Sequence, residues 1–141
     1  MKELKSLIRL KKWGLDEKRR DLAELENLKD ELQRRAGELD AEMERERGFV
    51  EDAQEPQPSF PDFLKQSLKK RAQLSRSIEQ TQIKINAVQN EITVEFEALK
   101  QAETALKRAE ERETKKRQMA EQAELDEIAS IGHQRRRADV A

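Results

Sequence analysis

The turn of this chain is set by one stretch before its middle, Glu55-Pro56-Gln57-Pro58-Ser59-Phe60-Pro61-Asp62. It holds all three prolines of the chain. Proline lacks the amide donor that a helix needs and disfavours helix in the residue before it. A new helix is predicted to follow at once, because Ser59 is a suitable N-cap, Asp62 comes three residues later and Pro61 falls in the first turn. The stretch therefore predicts a turn over about residues 53–61 between two helices.

The composition of the chain is typical of a long helix and not of a globular core. Of its 141 residues, 42% are charged and only 4% are aromatic. High charge with low hydropathy is also the signature of disorder. Two observations count against disorder, because the net charge is only −1 and the apolar residues recur at regular spacing. A coiled coil fits this composition better.

The first helix is predicted over about residues 2–52. Its apolar seam recurs with alternating spacings of four and three, which favours a heptad repeat. Ten of the fourteen seam positions are apolar, and three of the four exceptions are lysines, whose stems can lie along a seam while the ammonium reaches water. The positions are Leu4, Ile8, Lys11, Leu15, Lys18, Leu22, Leu25, Lys29, Leu32, Ala36, Leu39, Met43, Glu46 and Val50.

The second helix is predicted over about residues 62–131, with Gly132 as its stop and a tail over 132–141. Phe96 lies beside a gap in its seam at Glu95. After Ala109 the seam lapses, and a smaller apolar set returns between Met119 and Ile131. The seam positions are Leu64, Leu68, Leu74, Ile78, Thr81, Ile85, Val88, Ile92, Leu99, Ala102, Leu106 and Ala109. Phenylalanines that flank the turn are expected to seal that end against water: Phe49, Phe60 and Phe63.

The second seam ends at the position that the length of the first helix predicts. A chain that folds back near Gln57 places Leu4 opposite about position 110, where the second seam lapses. The sequence therefore predicts an all-α fold of one domain. It is a long antiparallel two-helix coiled-coil hairpin in which the second helix overhangs the first from about Glu110 onward.

Charge is sorted along the first helix. Residues 1–20 carry eight basic and three acidic side chains, whereas residues 21–55 carry thirteen acidic and five basic ones. The basic start lies at the open end of the predicted hairpin. Such a gradient can orient docking onto partners of opposite sign at each end.

No constellation of residues suggests an enzyme, a cofactor or a metal site. The chain has no cysteine, and its only histidine, His133, is predicted to be a solvated tail residue. It has no glycine-rich phosphate loop. The charges among the first twelve residues leave no apolar run for a secretory signal, and nowhere do 18 or so apolar residues follow one another. We therefore expect a cytoplasmic, non-enzymatic protein.

Two apolar groups outside the paired seams are candidate partner-binding surfaces. Leu7, Leu10 and Trp13 either cover the base of the second helix or form a contact strip for a partner. The apolar set of the overhang either folds back on itself or, as we favour, docks onto a partner. The candidate partner-binding residues are Leu7, Leu10, Trp13, Met119, Leu125, Ile128, Ile131, Arg135 and Arg136.

The cluster Arg135-Arg136-Arg137 and the basic start also raise the possibility of nucleic-acid binding. Against it, the chain has no net positive charge, no recognised binding motif and no aromatic platform. We therefore expect no nucleic-acid partner and interpret the arginines as a solvated, charged tail.

Several features together resemble a known family. The first helix opens with a basic, leucine-rich stretch, Leu4-Lys5-Ser6-Leu7-Ile8-Arg9-Leu10-Lys11-Lys12. The break between the helices falls before mid-chain, and a longer second helix follows. Near the C-terminus stands Leu125-Asp126-Glu127-Ile128-Ala129. In these features and in length, the chain resembles the FliJ family of flagellar type III export proteins.

The resemblance implies a two-helix coiled coil similar to the central stalk of rotary ATPases. It implies binding to the flagellar export ATPase, contact with the membrane protein of the export gate, and interaction with export chaperones. The protein would then be cytoplasmic and peripherally associated with the inner face of the cytoplasmic membrane. Residues 1–20 and 119–137 would face the ATPase ring. Two alternatives remain open: a structural coiled coil that self-associates through its unpaired end and has no ATPase partner, and an arm associated with nucleic acid or the ribosome.

Overall fold

Two long helices make up almost the whole protein. The structure is a computed structural model, and it describes residues 1–140. Helix α1 spans Lys2–Asp52 and helix α2 spans Phe60–Val140. No strand occurs within residues 1–140. The helices pack against each other as a hairpin, which confirms the predicted all-α fold.

The turn between the helices is shorter than predicted. The Phe60 amide donates to the Gln57 carbonyl at 3.2 Å, and the Phe63 amide donates to the Ser59 carbonyl at 3.1 Å. Ser59 therefore occupies the N-cap position, as predicted, since an N-cap carbonyl accepts the first bond of its helix. Helix α2 begins at Phe60, two residues before the predicted start at 62.

Contacts divide the chain into two compact units, and the prediction of a single domain stays a prediction. The first unit combines Met1–Lys12 with the part of α2 from Glu97 onward. Ile8, Leu99 and Ala102 are buried there. Lys5 and Glu110 form an ion pair at 4.0 Å. The predicted register, in which the start of α1 lies opposite about position 110, is therefore present within this unit.

The second unit is Trp13–Phe96, which includes the turn. Thr81 is buried in its core, and its hydroxyl donates to the carbonyl of Ser77 at 2.8 Å. The apolar core is thin, as expected of two helices packed on one face each. Its buried apolar residues are Leu15, Leu32, Ala36 and Ile85.

The seam of α1 follows the prediction closely. Thirteen of its fourteen predicted positions are buried or half-buried, and only Glu46 is exposed. Lys11, Lys18 and Lys29 are half-buried. The Lys18 ammonium donates to Glu91 at 3.0 Å, so its stem lines the seam while its charge reaches the surface.

The seam of α2 departs from the prediction near its start. Leu68 is 53% exposed, whereas Ser67 is 4% exposed. Counting back from Leu74 in steps of three and four leads to Arg71 and Ser67, and Leu68 lies one residue out of phase, about 100° around the helix. The phase of the heptad therefore determines which residue is buried. Farther along, the gap position Glu95 is half-buried.

The phenylalanines at the turn do not all seal its end. Phe60 and Phe63 are half-buried, and their ring centroids lie 6.5 Å apart. Phe49 is 71% exposed. The prediction that Phe49 closes this end against water is therefore wrong.

Helix α2 continues through Gly132, so the predicted stop and the predicted tail over 132–141 are wrong for residues 132–140. No glycine in residues 1–140 has a positive φ. A glycine ends a helix by adopting the left-handed conformation, and Gly132 does not adopt it. The residues that follow include Gln134, three arginines and Ala138, which favour helix. His133 is exposed, as predicted, but on a helix.

Replacing Gly132 with alanine is expected to strengthen the end of α2. An added Cβ meets nothing within 4 Å, and alanine is favoured over glycine in a helix by about 1 kcal/mol. Amide exchange of residues 133–138 is expected to slow by up to about fivefold, which is the factor that such an energy gives. Faster exchange in the Gly132→Ala variant would instead indicate a left-handed glycine.

The carboxylate of Glu31 is expected to titrate below its ordinary range. It accepts hydrogen bonds from Arg34 at 2.6 Å and from Arg35 at 3.2 Å, and the Arg34 bond is the main cause of the lowered pKa of Glu31. Because this pKa is lowered on folding, its stabilising effect is present above the unfolded value of about 4.5 and is lost as the pH falls through the folded value.

A carboxyl-carbon NMR titration checks the prediction for Glu31. We expect a pKa below the ordinary value of about 4.5 in the wild type and an upward shift of that pKa in the Arg34→Ala variant. An unchanged midpoint in that variant would contradict the assignment of Arg34 as the cause.

Candidate partner-binding surfaces

The part of α2 after Ala109 has no helix packed against it. We call residues 110–140 the overhang. All its side chains are exposed apart from the half-buried position of Gly132. The set includes Met119, Leu125 and Ile128, each at least 60% exposed, and Ile131 at 44%. The predicted lapse of the seam at Ala109 therefore coincides with the loss of burial.

The large apolar side chains of the overhang are spread around the helix. At about 100° per residue, Leu125, Ile128 and Ile131 cover an arc of about 120°. Met119 lies about 120° outside that arc. A helix that docks on one partner helix carries a narrower apolar stripe. This distribution therefore suits a partner that contacts the overhang from more than one side.

The polar side chains of the overhang leave its arginines available. Gln122 donates to Asp126 at 3.0 Å within the helix. Arg135 and Arg136 are exposed and form no ion pair with another residue in the described range 1–140. They can therefore contribute charge-assisted hydrogen bonds to an acidic partner.

The candidate residues on α1 are also exposed. In the first unit, Leu7 is 42% exposed and Leu10 is 63% exposed. In the second unit, Trp13 is 63% exposed. Side chains that covered the base of α2 would be mostly shielded from water, so this exposure counts against that alternative.

Some of the charged side chains of α1 form ion pairs with side chains of α2 within the hairpin. In the first unit, Lys12 pairs with Glu103 at 3.9 Å. In the second unit, Arg71 donates to Asp40 at 2.9 Å. The basic start of α1 thus faces acids of α2, and its acidic part faces a basic stretch of α2. Each exposed pair contributes less than about 1 kcal/mol, but together they favour this antiparallel register over alternatives.

The Lys18–Glu91 pair shows the same electrostatic matching at closer range. The hydrogen bond from the Lys18 ammonium to Glu91 raises the pKa of Lys18 above its ordinary value, and the negative charge of Glu91 acts in the same direction. This interaction therefore stabilises the protonated form of Lys18. The gradient that the sequence suggests for docking is thus balanced in part by the opposite helix.

The turn end carries a pocket that sequence reasoning missed. We call it the turn pocket, an open depression of about 790 Å³ within the second unit. It is lined by Glu46, Phe49, Val50, Asp52, Ala53, Gln57, Ser59, Phe60 and Phe63. The three phenylalanines around the prolines are the sequence signal for this pocket, but their pattern predicts a seal and not a cavity.

Two kinds of feature are absent from the described residues. Across residues 1–140, no three histidine or carboxylate side chains lie close enough together to hold a metal ion. In the same range, neither helix has a segment that is both long and apolar enough to cross a bilayer.

Comparison with known proteins adds no family to this description. No protein-family model matches the chain, and no curated protein or solved structure matches it either. Function is therefore inferred from the residues and their geometry.

Proposed function

We propose that this protein is a non-enzymatic coupling component of the flagellar type III export apparatus. In this proposal its open end binds the ring of the export ATPase, and the protein links ATP hydrolysis to export. The observation that carries the proposal is the overhang, a helix of about 30 residues without a packed neighbour in the part of the chain that the structure describes. The resemblance of the sequence to the FliJ family supplies the identity of the partner.

The chemistry of the overhang supports insertion into a ring. Its apolar residues point in several directions, and an apolar side chain exposed to water gains about 1.5–3 kcal/mol when it is fully buried. A partner that surrounds the helix can bury Met119 and Ile128 at the same time, which a single flat surface cannot do. The exposed Leu7 and Leu10, in the same unit, add apolar contact area at this end.

The remaining partners of the proposal are the membrane protein of the export gate and the export chaperones. They are assigned to the hairpin away from the overhang, where α1 becomes acidic. The protein is then cytoplasmic and associates peripherally with the inner face of the membrane through these partners. Nucleic acid is not a partner in this proposal.

The ATP hydrolysis rate of the flagellar export ATPase from the same organism tests the proposal. We expect the rate to rise when the protein is added and the two proteins to co-elute from a sizing column. Bovine serum albumin at the same concentration controls for general stabilisation of the ATPase. An unchanged rate without co-elution would refute the proposal and leave the hairpin fold intact.

Self-association is a second candidate function, favoured by one feature of α2. Ile83 is 67% exposed and Val94 is 63% exposed, and with Ala87 and Asn90 they follow a spacing of four, three and four. This is the heptad spacing of a coiled-coil seam. Light scattering separates the candidates, because a self-associating protein is a dimer or larger, whereas the coupling component is mainly a monomer.

A further inference from the structure

The turn pocket is lined by both apolar and acidic residues. Its apolar part comes from Phe49, Val50 and two other phenylalanines, and its acidic part from Glu46 and Asp52. No lysine or arginine lines it. Its volume lies within the range of about 300–1,000 Å³ that is usual for ligand pockets.

The carboxylates around the turn pocket are not neutralised within the hairpin. Residues 42–55 carry six acidic and two basic side chains. None of these six acids forms an ion pair with a residue in the described range 1–140. Asp40, Lys12 and Lys18, nearer the start of α1, do pair with α2. The negative charge at the turn is therefore available to a partner.

The exposure of Phe49 is not explained by the packing of the hairpin. Its side chain is 71% exposed although it borders the cavity. A large exposed aromatic side chain beside a pocket is typical of an anchor for binding. Three prolines fix the turn beside it, so little conformational entropy is lost when a ligand binds there.

We propose that the turn pocket binds a segment of a partner protein that carries one apolar anchor side chain flanked by lysines or arginines. The anchor packs against Phe49, Phe60 and Phe63, and the flanking cations pair with Glu46 and Asp52. The negative charge of the pocket favours a positively charged segment, and its apolar residues favour an apolar anchor side chain. This proposal does not depend on which partner binds the overhang.

Synthetic nine-residue peptides test the proposal with the full-length chain. The first peptide has one phenylalanine between lysines, the second has alanine in place of phenylalanine, and the third has glutamates in place of the lysines. Binding is followed by backbone amide NMR shifts. We expect the first peptide alone to bind, with the shifts confined to residues 46–63 and with affinity that falls as salt is added.

Variants of the protein test the apolar and the acidic residues of the pocket separately. We expect Phe49→Ala to weaken binding about fivefold or more through the lost apolar contact. The double variant Glu46→Gln/Asp52→Asn is expected to weaken it about three- to tenfold and to flatten the salt dependence. All three side chains are exposed, so the fold is expected to be retained, and circular dichroism checks this.

A control variant with the same net charge distinguishes binding at the pocket from non-specific electrostatic attraction. Glu24→Gln/Glu26→Gln makes the same change in net charge at exposed positions outside the pocket. It is expected to bind the first peptide like the wild type. An equal loss in this variant, equal binding of the alanine peptide, or no binding of the first peptide would each overturn the proposal. So would a dimer that covers the turn pocket, because a second copy would then be the occupant.

Discussion

Removing residues 110–141 is expected to abolish stimulation of the export ATPase while the hairpin stays folded. The described part of this segment makes one ion pair with α1, Lys5–Glu110 at 4.0 Å, and that pair is exposed. An exposed pair contributes less than about 1 kcal/mol. The free energy of unfolding is therefore expected to change by no more than this amount, whereas the stimulated rate falls to the basal rate of the ATPase.

A triple substitution tests whether the truncation abolishes stimulation because it removes the apolar side chains of the overhang. Leu125→Ala/Ile128→Ala/Ile131→Ala keeps the helix, because alanine is the best helix former. We expect it to reduce stimulation at least about tenfold, since each buried apolar side chain is worth about 1.5–3 kcal/mol. The matched control is Leu68→Ala/Ile83→Ala/Val94→Ala, which changes three exposed apolar residues of α2 before the overhang.

Two outcomes would contradict the assignment of the docking end. One is full stimulation by the truncated chain. The other is an equal loss of stimulation in the triple variant and in its matched control. If the control alone lost activity, the contact would lie on the outer face of α2, where Ile83 and Val94 are exposed.

Periodicity predicted most of the fold because the phase of the seam decides which side chains of a two-helix coiled coil are buried. Alternating steps of three and four locate the buried face of α1 even where the residue is Lys18 or Lys29. The same rule corrects the prediction at Leu68, a hydrophobic residue that breaks the phase. Ser67 is buried in its place because position, and not residue type, decides burial in a thin core.

The end of α2 could not be predicted from Gly132 alone. Glycine permits the left-handed conformation but does not impose it. The conformation is adopted when the next residues cannot continue the helix, as with proline. Here the next residues are good helix formers, and the helix runs on to Val140.

The candidate surfaces were predictable in part. The sequence indicated which apolar residues lie off the seams, including Leu10 and Trp13, but their exposure depends on how far the opposite helix shields them. The turn pocket depends on the side-chain positions of Phe49 and Phe63 around a short turn. No periodic pattern describes such a turn, and so the structure was needed to find the cavity.

Substituting Ile85 with alanine is expected to destabilise the hairpin by about 2–3 kcal/mol. Ile85 is 4% exposed. Replacing a buried isoleucine with alanine costs about 2–5 kcal/mol, and the lower values apply where the surroundings can collapse into the space. Two helices that are free to approach each other can collapse in this way. Urea unfolding followed by circular dichroism at 222 nm measures the difference.

The matched control for this prediction lies two residues earlier on the same helix. Ile83→Ala makes the same chemical change at a side chain that is 67% exposed, and it is expected to change stability by less than about 0.5 kcal/mol. The substitution is expected to be slightly stabilising, because alanine has a higher helix propensity than isoleucine. Equal losses at Ile83 and Ile85 would mean that Ile83 is buried in solution. A loss at Ile83 that grew with protein concentration would show that a second copy buries it, and would favour self-association over the monomeric coupling component.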